Sequence, residues 1–213
     1  MVDGQRSSSD GDALAKNQDE AFRSWEKLLN PEILRKNLIA SSLFLSGYEI
    51  LQSSIIDHIR DFFCDDFSLG EPTKSKKYHD VCLSLDKSPV RASLMWLKQM
   101  DIVDDTDIAF VDELRRHRND IAHELPRILE THHAEVNIQL LQQIYLLVSK
   151  IDRWWIREVE MSVNPDFDGI EASDEEITSG NMVLIQVMHL VAMGEDSGTI
   201  WREFQDYFNK HKA

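Results

Sequence analysis

The chain has 213 residues and a mass of 24.7 kDa, enough to bury a sizeable core in one domain, with or without appendages, and no need of covalent staples. Its formal charge of −15 repels nucleic acid over most of the surface, which excludes a generic DNA-coating protein but leaves room for a local basic site. Two cysteines, Cys64 and Cys82, in neither CxxC nor finger spacing, argue against a disulfide framework and a structural zinc site and read as reduced, buried thiols.

Residues 1–20 are polar, Ser-rich and aperiodic, with no apolar h-region and no Arg-rich character. They read as a flexible arm rather than a signal or transit peptide, and a cytoplasmic protein is expected. Asn30, Pro31 and Glu32 supply an N-cap, a proline at the first helical position and an acid in the first turn. The helix that starts there carries a stripe of Leu34, Leu38, Ser41, Leu45, Tyr48, Gln52, Ile55, Ile59 and Phe62 at steps of three and four, with Ile39, Leu51 and Ile56 broadening the apolar face. Residues 65–87 contain Gly70, Pro72 and the lysines of the run Lys74 to Lys77, so a long loop is expected, with a helical turn around Tyr78 to Leu85. Its lysines are either a secondary polyanion contact or part of a solvated loop. Ser88 and Pro89 repeat the cap-plus-proline signal for a short helix ending near Met100.

Thr106 and Asp107 are placed to cap the next helix, whose Ile108, Val111, Leu114 and Ile121 share one stripe and which Pro126 is expected to end. A second long helix is predicted from about Thr131 to Met161 on the repeat Val136, Leu140, Ile144, Leu147, Ile151 and Trp155. Trp154 and Trp155 fit core or interface packing better than stacking on bases. Residues 163–180 form an acidic linker. Two further helices follow in 181–213, the first apolar on nearly every side, and both are expected to pack on the bundle. No segment shows strand alternation between hairpin turns. The fold class is therefore all-α: a helical bundle over residues 21–162 with two long helices, plus shorter carboxyl-terminal helices. No apolar run approaches the roughly 20 residues of a membrane span, so no membrane partner is expected.

One segment carries the residue types of phosphodiester chemistry: Arg118-Asn119-Asp120-Ile121-Ala122-His123, preceded by Arg115 and Arg116 in the densest cationic stretch of the chain. An imidazole moves protons near neutral pH, and a permanently charged guanidinium holds a phosphate as negative charge grows on it, with no cofactor or metal required. Asn119 and His123 are four residues apart on one helix face, so the amide can orient the ring. A structural alternative stands beside this: Arg118 pairs with Asp120 or Glu124, and His123 caps a helix end. Arg127 to His132 has a similar spacing but lies at the Pro126 helix break and lacks a polar residue after the arginine. His132 with His133, or His58 with Cys64, His79 and Cys82, match no metal-ligand spacing.

Arg118 to His123, with a polar residue directly after the arginine and a small one before the histidine, resembles the Arg-x4-6-His motif of the HEPN family (higher eukaryotes and prokaryotes nucleotide-binding). The resemblance extends over residues 31–160 through the helix pattern. It implies an all-α, HEPN-like bundle and a metal-independent endoribonuclease of a toxin–antitoxin or anti-phage defence system. Arg118 and His123 would be catalytic, Asn119 and Asp120 supporting, and Arg115 and Arg116 would bind RNA. The implied partners are RNA, an antitoxin or defence protein, and a second copy of the chain, since family members meet about a two-fold axis that joins two motifs in one cleft. The position two after the histidine, a tyrosine in some HEPN toxins, is Leu125 here, so silencing by modification of that tyrosine is not implied. The alternative within the family is a non-catalytic module that binds a nucleotide or a protein.

Overall fold

Asn30 turns its side chain back to accept hydrogen bonds from the amides of Glu32 (3.0 Å) and Ile33 (3.4 Å), and Pro31 opens the long helix α2, Pro31–Phe62. The computed structural model describes residues 6–64, 75–170, 172–194 and 198–210, and no strand occurs among them. In chain order the helices are α1 (Arg6–Leu29), α2, α3 (Lys76–Val81), α4 (Pro89–Gln99), α5 (Asp105–Glu130), α6 (Leu140–Trp155), the single turn α7 (Met161–Val163), α8 (Gly180–Met193) and α9 (Gly198–Lys210). Helix α2 is the centre of the bundle, with α1, α4, α5, α6 and α8 packed around it.

The core face of α2 is rotated from the stripe read in the sequence. Phe44, Leu51, Ile55 and Ile59 are fully buried, whereas Leu38 and Phe62, near the two ends of the helix, remain exposed. At the crossing with α6 the backbone comes so close that a Cβ on Gly47 would lie 2.5 Å from the Leu141 side chain. At one end of the bundle Tyr78 stacks on Phe63, Phe63 meets Trp96 edge-on and Trp96 stacks on Trp155, and Cys82, fully buried, contacts Ser93 at 3.8 Å. Burial pushes the Cys82 thiol up, with the Ser93 hydrogen bond opposing in part, and Cys64 is half-buried just beyond α2.

Three expectations need correction. The amino-terminal arm is helical from Arg6, residues 1–5 lying outside the described residues. Its second half is rich in Ala, Lys, Gln and Glu, good helix formers, and an Asp19–Arg23 ion pair spans one turn. The buried Lys27 then fastens it, its ammonium donating to the carbonyls of Thr131 (2.9 Å) and Ala134. Pro126 does not end α5. The helix bends two residues before it, at Glu124 (φ −118°, ψ 20°), because proline lacks the amide for that turn and its ring crowds the carbonyl four residues back. The second long helix starts at Leu140 rather than Thr131, and after Trp155 it widens into a π-helical stretch, Ile156–Glu160. Trp155 is buried and Trp154 half-exposed, in keeping with the core packing expected of the pair.

Caps and turns elsewhere fall close to expectation. Asp104 rather than Thr106 caps α5, exchanging hydrogen bonds with Asp107. Residues 65–74, including Lys74, lie outside the described residues, and α3 with a 3-10 turn, Leu83–Leu85, follows where the helical turn is predicted.

One charge is fully enclosed. Asp152 on α6 accepts hydrogen bonds from Ser54 of α2, from Ser179 (2.5 Å) and from Asn181 (3.5 Å), and lies 3.4 Å from His58 Nε2. Ser179 also caps α8 by accepting from the Met182 amide at 3.1 Å, so one hydroxyl serves as donor and acceptor at once. Burial alone would push the Asp152 carboxyl up, but the hydrogen bonds from His58, Ser179 and Ser54 outweigh it and hold the group below the usual carboxylate range. The stabilisation is therefore complete above the unfolded value of about 3.9 and is lost as pH falls through the lower folded value. Asp152→Asn is expected to lower the unfolding free energy by about 2 kcal/mol in urea at neutral pH. The gap between variant and wild type should close as the pH drops below about 4.

Candidate functional site on helix α5

Arg118 projects from the middle of α5 toward α2. Its Nη2 donates to Glu49 Oε1 at 3.1 Å and its Nη1 to Asn119 Oδ1 at 3.4 Å, while Nε is buried without a partner. The guanidinium carbon lies 6.0 Å from the centroid of the buried Tyr48 ring. Arg115, one turn earlier and exposed, acts on the same ring: burial pushes the Tyr48 phenol up, and the two arginines oppose that in part. Arg116 points elsewhere, its Nε donating to the Asp112 carbonyl at 3.3 Å.

His123 is exposed and forms no hydrogen bond or ion pair among the described residues. Five positions along a helix place it about 140° around and about 7.5 Å along the axis from Arg118. Within one chain, then, the fold gathers Arg115, Arg118, Asn119, Tyr48 and Glu49 into one cluster and leaves His123 and Asp120 beside it, both open to solvent. The pairing of Arg118 with Asp120 or Glu124 does not form, since Glu124 binds Arg127. His132 and His133 lie against each other with ring centroids 3.5 Å apart. No group of three or more His, Cys, Asp or Glu side chains suited to a metal ion occurs among the described residues, and no described helix is long and apolar enough to cross a membrane.

Sequence reasoning missed three residues of this region. Glu49 and Tyr48 reach the site from 69 and 70 positions away, a pairing that no local pattern signals. His117 looks like part of a cationic run, yet it is half-buried, edge-on to Phe44 at 4.8 Å. Its Nε2 accepts the Asn137 amide at 3.2 Å, which requires the neutral ring with the proton on Nδ1. It thereby ties the 131–139 segment to α5.

No family model matches the sequence, and neither a curated protein nor a solved structure is found to be similar to it. The site is therefore defined by its own geometry.

Desolvation lowers the pKa of His117, with Asp120 and Glu113 opposing in part. Its contribution to stability is accordingly full above the unfolded value of about 6.5 and declines as pH falls through the lower folded value. Between neutrality and pH about 5 the wild type should lose stability that His117→Gln does not lose. Urea midpoints across that range measure the difference, and parallel curves for the two proteins would remove His117 from this role.

Proposed function

We propose that the chain is a HEPN-like, metal-independent endoribonuclease of a toxin–antitoxin or defence system. The observation that carries the reading is the placement of Arg118 and His123 on one continuous helix of an all-α bundle, the arginine held in a fixed orientation by α2 and the imidazole open to solvent. In this chemistry an imidazole takes the proton of an RNA 2′-hydroxyl, the 2′-oxygen attacks the adjacent phosphorus, and the bond to the 5′-oxygen breaks as that oxygen gains a proton. The products are a 2′,3′-cyclic phosphate and a free 5′-hydroxyl. Arg118 stabilises the charge on the pentacoordinate phosphorus, and Arg115 holds a neighbouring phosphate. The angular separation of Arg118 from His123 favours a homodimer in which each phosphate lies between the arginine of one chain and the histidine of the other.

A second reading, a non-catalytic module of the same kind, is favoured by the Glu49–Arg118 ion pair, which occupies the guanidinium with an acid of the chain itself.

Incubation of the purified protein with mixed RNA in excess EDTA separates the two. The nuclease cleaves in chelator, leaves cyclic phosphate ends, and loses at least a hundredfold in rate in both Arg118→Ala and His123→Ala. Unchanged cleavage in both variants, or none by the wild type, removes the catalytic reading. Binding should be weak with a shallow salt dependence, because only a few cations face the site.

Glu49 competes with phosphate for Arg118. Glu49→Gln is therefore expected to bind a short RNA severalfold more tightly than wild type in a filter-binding titration at low salt, an advantage that shrinks as salt rises. Weaker binding by that variant would instead make Glu49 a support that positions the arginine.

A further inference from the structure

Besides Asp152, one other charged side chain among the described residues is buried: Lys27 of α1, 7% exposed. The fold answers the two charges unequally. Asp152 is met by Ser54, His58, Ser179 and Asn181, whereas the Lys27 ammonium meets only two neutral carbonyls, those of Thr131 and Ala134. An ammonium carries three N–H donors, so one is left over, and no described carboxylate forms an ion pair with it. Burial pulls the Lys27 pKa down, with the charge of Glu135 opposing in part. A buried cation with a spare donor is costly unless an anion answers it.

Space for that anion lies beside it. Lys27 lines a cavity of about 590 Å³ between α1, α2, the 131–139 segment and the end of α8, a size within the roughly 300–1,000 Å³ of small-molecule sites. Arg23 and Lys36 line it as well. Arg23 holds Nη2 2.9 Å from Asp19, and Lys36 makes no hydrogen bond or ion pair among the described residues. Three fixed cations against two acids, the exposed Glu26 and Glu135, give the cavity a positive balance in a chain of net charge −15. Apolar surface comes from Ala40 of α2, Val136 and Ile138 of the crossing segment, and Ala192 and Met193 of α8.

We propose that this cavity binds a small organic anion, its single carboxylate or phosphate head on the Lys27 ammonium between Arg23 and Lys36 and its apolar body against Val136, Ala192 and Met193. A neutral molecule would leave the spare Lys27 donor unanswered. The exposed Glu26 and Glu135 disfavour a longer polyanion. Neither Arg118 nor His123 lines the cavity, so the inference stands or falls apart from the nuclease proposal.

Isothermal titration calorimetry on the full chain at low salt tests the site, with octanoate and octyl phosphate as the two head groups. At least one of them should bind one-to-one. Octanol and inorganic phosphate, each lacking half of the ligand, should bind about tenfold more weakly or worse. Lys27→Met, similar in length but uncharged, should weaken binding about tenfold, and the exposed Lys36→Gln about threefold, while Lys36→Arg should bind like wild type. Lys27 also fastens α1, so circular dichroism checks that its variant folds; where it does not, the two Lys36 variants decide. Absence of binding by both octanoate and octyl phosphate overturns the inference. So does octanol binding as tightly as octanoate, which would make the cavity an apolar crevice, or inorganic phosphate binding as tightly as octyl phosphate, which would make it a surface ion site. Unchanged affinity in Lys27→Met, or in Lys36→Gln where Lys27→Met is unfolded, overturns it as well.

Discussion

A carboxylate enclosed in an apolar core must be answered from every side, and the Asp152 carboxylate imposes that demand on three helices at once. It belongs to α6, draws Ser54 and His58 from α2, and draws Ser179 and Asn181 from the start of α8. Apolar packing between α2 and α6 is tolerant of small rotations, but hydrogen bonds are not. The angular setting of α6 on α2 and the point at which the chain re-enters the core after the acidic segment both follow from this one group.

The sequence is most readable where the signal is local. Asn30-Pro31 and Ser88-Pro89 mark helix starts to the residue, since a proline at the first helical position acts within one turn, as does the Asn30 cap. The phase of α2 is harder, because Leu38 and Phe62 have the right spacing but remain exposed, while Phe44, outside the stripe, is fully buried. Residues 131–139 carry Val136 in helical register with Leu140 and nevertheless stay non-helical. Their carbonyls and amides are taken by Lys27, 104 positions from Thr131, and by His117, 20 positions from Asn137, and such partners are invisible to a window moving along the chain.

The candidate site divides in the same way. Arg118 and His123 are legible as residue types in a meaningful order, and α5 carries both as a single rigid element up to its bend at Glu124. What the order does not contain is the acid that meets the arginine. Glu49 follows Tyr48 on α2, at the edge of a stripe whose visible role is burial, and its pairing with Arg118 sets the resting electrostatics of the site from another helix. The local pattern thus carries the proposed motif, and the tertiary contact sets the pairing in which its arginine rests.

The two cysteines give the molecule an internal clock. Cys64, half-buried just beyond α2, and Cys82, sealed beneath α3 and α4 with its thiol pushed toward the protonated form, differ in how much of the fold must open before a reagent meets a thiolate. An alkylating reagent applied to the folded protein would therefore mark them in sequence. The delay before the second mark would time the lifting of the α3–α4 cap from the aromatic end of the bundle, a motion that a global unfolding curve averages away.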